Sequence, residues 1–176
     1  MTTETASISE QLKRVRLLLL DVDGVLTDGK IIYNDQGAEI KEFNVRDGLG
    51  IRMLILADIK VGIVTGRSCP ALRHRCNNLG IDLVLDGVQN KAEVLEDILQ
   101  KHHADPNQIA FMGDDLPDLP LMRRVGLSIA VADAHPLVTA DAQMVTVSPG
   151  GNGAVREVCE AVLKAQELWK TTLERF

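Results

Sequence analysis

The sequence predicts a three-layer α/β fold, in which helices cover both faces of a doubly wound, mostly parallel sheet. Short apolar runs recur between polar turns, and runs without polar alternation are typical of parallel strands that are buried on both faces. Segments with helical periodicity separate these runs, and alternation of strand and helix indicates a layered α/β domain. The chain has 176 residues, so we expect a single domain over residues 1–176.

The apolar runs place the strands, and the periodic segments between them place the helices. Strands are predicted at residues 15–20, 61–65, 83–85, 109–112, 127–131 and 144–147. Helices are predicted around 49–56, at 68–79 after a hydroxyl cap, from a capping-box-like start at 90–93, and at 155–169. The glycine-rich residues 150–153 are expected to form a mobile segment before the last helix.

One segment, at about residues 30–43, interrupts the alternation. Residues 30–33 and 38–43 resemble two short strands around an Asn/Gly turn, which predicts a β-hairpin inserted between the first strand and the first of these helices. Ligands of open α/β sheets bind at the carboxyl ends of the strands, so we expect the hairpin beside the site. It would there enclose substrate or contact another subunit, and a flap without a functional role is the alternative.

Composition and charge exclude several classes of function. The net charge of -6 and the pI near 5.2 disfavour nucleic-acid binding, which needs a basic face. An aromatic content of 3% disfavours surfaces that stack bases or sugars. The three cysteines have no Cys-x-x-Cys spacing, which argues against a disulfide framework or a thiolate zinc site. Residues 1–10 lack a signal-peptide pattern and no run is long enough to span a membrane, so we expect a cytoplasmic protein.

An acidic motif directly follows the first predicted strand. Asp21 and Asp23 are two residues apart and are followed by Gly24. Two carboxylates facing one cleft are costly unless a cation compensates them. Mg²⁺ with oxygen ligands and a phosphate substrate is the usual case. An isolated Asp-x-Asp is explained equally well as an acidic turn. The later motifs therefore decide between such a turn and a metal site.

Three further polar motifs follow later predicted strands or begin their helices. They are Thr65-Gly66-Arg67, Lys91, and Gly113-Asp114-Asp115-Leu116-Pro117-Asp118. A hydroxyl, an unobstructed backbone N–H, a guanidinium and an ammonium all suit phosphate oxygens. The carboxylates of the last motif can complete a metal shell. Each motif alone is consistent with an ordinary turn or a solvated side chain, but together they indicate phosphoryl-transfer chemistry.

This set of motifs resembles the haloacid dehalogenase superfamily of phosphatases, over residues 17 to about 158. The resemblance implies a Rossmann-like α/β fold, here without a cap domain. Longer strings, among them DVDGVLTDG, FNVRDGLGI and MGDDLPDLPLM, resemble the members that hydrolyse 3-deoxy-D-manno-octulosonate 8-phosphate in lipopolysaccharide biosynthesis. A phosphatase of a nine-carbon sugar-acid 9-phosphate is the alternative within the superfamily.

The residues and the resemblance predict the same mechanism. Asp21 attacks phosphorus and forms an aspartyl-phosphate, while Asp23 protonates the leaving oxygen and later deprotonates water. The Asp21 carboxylate, the Asp23 backbone carbonyl and Asp114 are the predicted Mg²⁺ ligands. Thr65, Gly66 and Lys91 are the predicted groups that stabilise the phosphoryl group.

The remaining aspartates of these motifs have other expected roles. Asp115 is expected to orient Lys91 or a metal-bound water. Asp28 and Asp118 are expected to be structural.

Substrate specificity is expected to depend on a second set of residues. By resemblance these are Asn44, Val45, Arg46, Asp47 and Gly48, together with Arg52, Arg67 and Arg75. A sugar-acid phosphate carries a carboxylate as well as a phosphate, which suits several arginines. For Arg52 and Arg75 a solvated helix face is an equal alternative. Arg73 and Arg75 cannot be separated by sequence, although the resemblance favours Arg75, reaching into a neighbouring subunit's site.

The alternative from another functional class is a receiver-type signalling domain, which also combines acidic residues, a threonine and a lysine on a doubly wound sheet. The second aspartate of the first motif, the Gly-Asp-Asp motif and the hairpin all disfavour it. Because the family often covers its site with a cap domain and this chain has none, we expect a homo-oligomer, a homotetramer, whose hairpins and residues 149–176 complete neighbouring sites.

Overall fold

A parallel sheet lies at the centre of the computed structural model, which describes residues 7–102 and 105–175. The strands are β1 (Leu17–Leu20), β2 (Ile32–Tyr33), β3 (Glu39–Ile40), β4 (Lys60–Val64), β5 (Leu83–Leu85), β6 (Ile109–Gly113), β7 (Leu127–Ala130) and β8 (Met144–Val145). The helices are α1 (Ile8–Arg14), α2 (Val45–Leu56), α3 (Pro70–Leu79), α4 (Val94–His102), α5 (Leu119–Met122), α6 (Pro136–Asp141), α7 (Ala154–Ala165) and α8 (Trp169–Leu173). Single 3₁₀ turns lie at Pro106–Gln108 and Leu116–Asp118.

The sheet has the order β5-β4-β1-β6-β7-β8, and every adjacent pair of strands is parallel. From β1 the chain moves outward through β4 to β5, and it then crosses to β6 and moves outward in the other direction. This reversal opens a crevice beside β1 at the carboxyl ends of the strands. The predicted doubly wound α/β fold is therefore confirmed.

Alternate residues of the central strand supply the two halves of the core. Leu18 and Leu20 pack in the apolar cluster formed with α1, α2, α3 and α7, whereas Leu17 and Leu19 pack with α4, α5 and α6 on the other face. All four leucines of β1 are buried. Burial on both faces explains why this strand is a continuous apolar run in the sequence.

Most predicted elements lie within a few residues of their observed positions, and two helix boundaries differ. Helix α3 begins at Pro70 after Cys69, which makes no side-chain cap, and the Ser68 hydroxyl donates to Asp86 (2.6 Å) instead. The predicted helix at 155–169 ends at Ala165, because Glu167 has a left-handed φ of 61° and turns the chain into α8.

The predicted hairpin is present, and its strands are shorter than expected. Strands β2 and β3 pair antiparallel through Ile32 with Ile40 and Tyr33 with Glu39. The Asn34 side chain closes the turn by accepting hydrogen bonds from the backbone N–H groups of residues 36 and 38. The hairpin lies beside the carboxyl ends of the central strands, since Lys41 and Glu39 contact residues of that edge.

The glycine-rich segment before α7 is packed closely against the loop that follows β1. The Gly151 N–H donates to the Val25 carbonyl (2.9 Å), and a Cβ atom at Gly150 would overlap with the Gly24 carbonyl. Glycine is required here for close approach of two backbones rather than for the expected mobility. Across the two described ranges, no helix combines the length and the apolar character that membrane crossing requires.

Candidate active site

A cavity of about 440 Å³ lies at the carboxyl ends of β1, β4 and β6. It is lined by the predicted catalytic and metal-binding residues, and by other residues of the same motifs: Asp21, Asp23, Thr65, Gly66, Arg67, Lys91, Asp114, Asp115 and Asp118. Parallel strands bring their carboxyl ends to one edge of the sheet, so motifs far apart in sequence meet there. The structure therefore groups the four sequence motifs in one place.

The loop after β1 holds Asp21 at the mouth of the crevice. The Asp21 N–H donates to the Met112 carbonyl (3.0 Å), which extends the pairing of β1 with β6 by one residue. The chain then turns sharply, because the Val22 carbonyl accepts hydrogen bonds from the N–H groups of Leu26 and Thr27. Gly24 has a φ of 90°, and a Cβ atom there would overlap with the carboxylate of Asp114. Glycine at this position allows the first and last motifs to approach each other.

Lys91 forms ion pairs with two buried carboxylates. Its Nζ atom lies 2.7 Å from Asp21 Oδ1 and 2.6 Å from Asp118 Oδ1, and the three side chains are 6%, 10% and 2% exposed. Burial alone would lower the pKa of Lys91, but Asp21 and Asp118 raise it above its ordinary value. The side chain therefore remains a cation inside the protein.

Asp118 organises this end of the site. One of its carboxylate oxygens accepts the Lys91 bond, and the other accepts hydrogen bonds from the backbone N–H groups of Asp114 (2.9 Å) and Asp115 (3.2 Å). Asp115 does not contact Lys91, because its carboxylate caps Leu116 and the partners of Lys91 are Asp118 and Asp21; the alternative, that Asp115 orients a metal-bound water, stays a prediction. The Asp-x-x-Asp spacing of residues 115 and 118 is a capping-box pattern and could have revealed this.

The carboxylates of this cluster fit a divalent cation. Oxygens of Asp21, Asp114 and Asp118 lie within 4.8 Å of one another. Burial, followed by the neighbouring carboxylates, raises the pKa of Asp114 to about 8. Burial is also the main reason that the pKa of Asp21 is raised to about 6, against the opposing effect of Lys91. This concentration of negative charge is what oxygen-liganded Mg²⁺ relieves.

The hydrogen bonds of the cluster indicate which oxygens remain for the cation. Asp118 is occupied by Lys91 and two backbone donors, so Asp21 and Asp114 are the carboxylates that fit the metal. The Asp23 carbonyl accepts no hydrogen bond from any residue in the described ranges. These are the three ligands that the sequence predicts.

Asp23 belongs to a closed ring of four charged side chains, with Lys41, Glu39 and Arg67. Lys41 forms ion pairs with Asp23 and with Glu39 (2.7 Å), and Arg67 lies 2.8 Å from Glu39 and 3.6 Å from Asp23. The Arg67 guanidinium also donates to the Tyr33 hydroxyl (3.3 Å). Sequence reasoning missed Glu39 and Lys41. Their alternate spacing on a hairpin strand, which places both on one face, was the available signal.

Most residues expected to contact substrate lie outside this cavity. Those at Val45, Arg46, Gly48, Arg52 and Arg75 line a second cavity, of about 340 Å³, between α2 and α3. Arg67 and Gly66 do line the first cavity. Within one chain these residues are thus separate from the catalytic cavity, and substrate contact by the whole set stays a prediction.

The arginines of α3 have separate partners. Arg75 donates to the Asn44 carbonyl (3.0 Å) and its guanidinium lies 5.7 Å from the centre of the Phe43 ring. Arg73 instead pairs with Asp86 (2.8 Å). Of the two, Arg75 is the one that belongs to the second cavity.

Asn44 and Asp47 connect helix α2 to the segment before α7. The Asn44 side chain caps α2 through the Arg46 N–H (2.8 Å) and donates to the Gly151 carbonyl (3.3 Å). Asp47 is buried and accepts hydrogen bonds from the N–H groups of Gly153 (3.2 Å) and Arg156 (2.8 Å). Burial raises the pKa of Asp47 in spite of these bonds. Both side chains thus connect α2 to residues 151–156, and neither lines the catalytic cavity.

The sequence analysis predicts a structural role for Asp28. This residue pairs with Lys30 (2.6 Å) at the surface. The two side chains are 50% and 76% exposed. This pair lies outside the cavity.

Comparisons with known proteins agree with this geometry. A family model described as haloacid dehalogenase-like hydrolase matches residues 84–158. The 3-deoxy-D-manno-octulosonate 8-phosphate phosphatase of Escherichia coli BL21-DE3 is 49% identical over 162 residues, which cover 92% of this chain and 86% of the relative. A crystal structure of such a phosphatase from Yersinia pestis superposes with a TM-score of 0.91 at 48% identity, covering 93% of this chain and 88% of the other.

A further solved structure carries ligands. The 3-deoxy-D-manno-octulosonate 8-phosphate phosphatase of Moraxella catarrhalis, in complex with a magnesium ion, a phosphate ion and a KDO molecule, has a TM-score of 0.93 at 40% identity. The match covers 96% of this chain and 97% of that one.

We expect the metal-free protein to lose stability as the pH rises from about 5 to about 8. The pKa values of Asp21 and Asp114 are raised in the folded state to about 6 and about 8, so the folded protein binds more protons than the unfolded chain in this window. Their stabilising effect is complete below the unfolded pKa of about 3.9 and is lost as the pH passes the folded values. Mg²⁺ should therefore raise the melting temperature more at the higher pH.

Thermal unfolding with excess Mg²⁺ and with EDTA, at both pH values, measures this effect. The Asp114→Asn variant is the control and should show little metal-dependent shift. An equal Mg²⁺ effect at the two pH values would contradict the prediction.

Replacing Asp47 with alanine should destabilise the protein by about 2 kcal/mol, because two backbone N–H groups at the start of α7 lose their acceptor. Urea unfolding followed by circular dichroism measures the change. The matched control is Asp35→Ala at the exposed hairpin tip, with an expected effect within about 0.5 kcal/mol. Equal effects of the two substitutions would argue against the capping role.

Proposed function

This chain belongs to the 3-deoxy-D-manno-octulosonate 8-phosphate phosphatases of the haloacid dehalogenase-like hydrolases, and we propose that it releases phosphate from 3-deoxy-D-manno-octulosonate 8-phosphate (Kdo 8-phosphate) in lipopolysaccharide biosynthesis. It is a phosphomonoester hydrolase with Mg²⁺ as its cofactor. The observation that carries the proposal is the meeting of Asp21, Asp23, Lys91 and Asp114 in one cavity of a chain so similar to these phosphatases.

Asp21 is the proposed nucleophile. Its carboxylate attacks phosphorus as the bond from phosphorus to the sugar oxygen breaks, which leaves an aspartyl-phosphate. Asp23 gives its proton to the departing sugar oxygen. In the second half Asp23 takes a proton from water as the water oxygen bonds to phosphorus and Asp21 is released.

Charged and polar groups around Asp21 support this displacement. Lys91 lies 2.7 Å from Asp21 and offsets negative charge as the phosphoryl group approaches. Thr65 and Gly66 line the same cavity, and a hydroxyl and a backbone N–H are groups that can donate to phosphoryl oxygens. Mg²⁺ bound by Asp21, Asp114 and the Asp23 carbonyl supplies the charge that allows a carboxylate to approach a phosphate dianion.

The sugar part of the substrate is recognised by arginines. Arg67 is 41% exposed at the mouth of the cavity and is the proposed contact of this chain with the substrate carboxylate. Arg46, Arg52 and Arg75 lie on another face, so they are proposed to act on a substrate bound to a neighbouring subunit.

A homotetramer is the proposed assembly. The hairpin face opposite Glu39 carries the paired residues Ile32 and Ile40, which are 39% and 45% exposed, and Ile31 and Tyr33 are 48% and 59% exposed. A hairpin with charges toward its own domain and apolar residues outward fits burial against another subunit. Such packing would also bring residues 149–176 and the second cavity near neighbouring sites.

We also propose that the protein is cytoplasmic. Its three cysteines are free and buried within the described residues, which fits a reducing compartment.

Phosphate release from a panel of sugar phosphates tests the function. We expect a clear preference for Kdo 8-phosphate, dependence on Mg²⁺ and loss of activity in EDTA. The Asp21→Asn variant should fold normally and lose more than about 10³-fold in turnover because no nucleophile remains. The control is Asp28→Asn, on the same loop but paired with Lys30 at the surface, with activity close to wild type.

Three results would count against the function. EDTA-insensitive release would contradict the metal role, and a residual Asp21→Asn activity within about tenfold of wild type would contradict the nucleophile. Preference for a nine-carbon sugar-acid phosphate would displace the Kdo assignment.

The assembly is tested by placing charges on the hairpin. Replacing Ile32 and Ile40 together with lysine should dissociate the oligomer, because the buried apolar face would then carry unpaired charges. Light scattering after gel filtration measures the mass. Leu137→Lys is the control, since Leu137 is 60% exposed on α6. A wild-type protein that is monomeric and fully active would refute the assembly.

A further inference from the structure

Lys41 is a buried cation with no role in the mechanism described above. Its side chain is only 2% exposed and lies between the carboxylates of Asp23 and Glu39. Lys41 directly follows β3 and lies at the base of the hairpin. Burying an ammonium is costly unless its partners are well placed, so its position requires an explanation.

The two oxygens of Asp23 have different surroundings. Oδ1 is the atom that pairs with Lys41. Oδ2 is buried and has no hydrogen-bond partner among the described residues, because Arg67 Nε is 3.6 Å away. Asp23 lines the catalytic cavity. The carboxylate is therefore anchored through Oδ1, while Oδ2 makes no hydrogen bond to the described part of the chain.

Glu39 fixes the position of Lys41 in turn. Its carboxylate lies 2.7 Å from Lys41 and, through its other oxygen, 2.8 Å from Arg67. Glu39 is 11% exposed and Lys41 is 2% exposed, so the ion pair between them is shielded from solvent. With two cations and two anions the ring is neutral, which lessens the cost of enclosing it.

We propose that Lys41 is a positioning residue for the reaction: anchored by Glu39, it holds Asp23 by Oδ1 so that Oδ2 faces the leaving oxygen of the substrate. This inference rests on the proposed function, in which Asp23 gives a proton to the sugar oxygen as the bond from phosphorus to that oxygen breaks. The same oxygen of Asp23 then receives a proton from the water that displaces phosphate from Asp21. Lys41 acts only through Asp23.

The competing explanation is a purely structural tether between the hairpin and the domain. Leaving groups that need different amounts of proton transfer separate the two roles. A sugar alkoxide requires a proton to depart, whereas p-nitrophenolate departs without one. Loss of a positioning residue therefore impairs one substrate selectively, and loss of a tether impairs both alike.

The experiment measures a single turnover of Lys41→Met with Kdo 8-phosphate and with p-nitrophenyl phosphate. Cleavage of the sugar phosphate should slow by about 100-fold, within the usual range for general acid catalysis. The first release of p-nitrophenolate should slow by less than about threefold, because it requires no proton from Asp23. A single turnover is used because the later hydrolysis of the aspartyl-phosphate depends on Asp23 for both substrates.

Three further variants complete the design. Lys30→Met is the matched control, since Lys30 belongs to the same segment and pairs with Asp28 at the surface. The double variant Asp23→Asn with Lys41→Met should be no slower than Asp23→Asn alone, because both changes remove one function. Glu39→Gln should show a smaller selective loss, and it provides the test if Lys41→Met does not fold.

Equal losses for the two substrates, or additive losses in the double variant, would overturn the proposal in favour of a tether. Unchanged cleavage of the sugar phosphate would also overturn it. If the wild-type protein does not cleave Kdo 8-phosphate, the proposed function fails separately, and the comparison is made with the alkyl phosphate that the panel identifies.

Discussion

The ion pairs of Lys91 with Asp21 and Asp118 are the constraint on which the rest of the site depends. A parallel sheet collects the carboxyl ends of its strands at one edge, and here that edge gathers Asp21, Asp114 and Asp118. Without a buried cation this concentration of charge would oppose folding. Lys91 compensates two of the carboxylates, and Asp118 uses its remaining oxygen to hold the Asp114 backbone. One ammonium against three carboxylates leaves net negative charge beside Asp21 and Asp114, and this is the charge that a metal ion relieves.

The surroundings of Asp23 repeat this arrangement on the other side of the cavity. In each case a lysine with little exposed surface bridges two carboxylates, one of which belongs to the first acidic motif. The second carboxylate, Asp118 or Glu39, fixes the lysine rather than reacting. The two clusters differ in origin, since Lys91 precedes a helix of the main fold and Lys41 comes from the inserted hairpin. Asp21, the proposed nucleophile, is therefore supported by the core of the domain, and Asp23, the proposed proton donor, by its insertion.

Sequence reasoning identified the residues whose chemistry is local and missed those whose role depends on a distant partner. Asp21, Thr65 and Asp114 each follow a strand directly. The strand prediction therefore also predicts where these side chains lie in the fold. Asp47 and Arg52 lie on a helix, and their sequence does not reveal whether a side chain faces the crevice or another element. Lys41 contacts Asp23, and Glu39 contacts Arg67, only when the hairpin folds back on the loop after β1. The alternate spacing of Glu39 and Lys41 indicates a shared face of the hairpin, but it does not indicate which residues that face contacts.

The size of the hairpin connects the shape of the site with its chemistry. Two paired residues on each strand are too few for a hairpin to be stable alone in water. Its outer face is apolar and exposed, so within one chain its attachment depends on the inward contacts, among which are the ion pairs of Lys41, Glu39 and Arg67. Those same ion pairs orient Asp23. In the proposed mechanism, covering the cavity and aligning Asp23 as the proton donor are thus a single structural event, and in the proposed assembly a neighbouring subunit packed on the outer face would strengthen both.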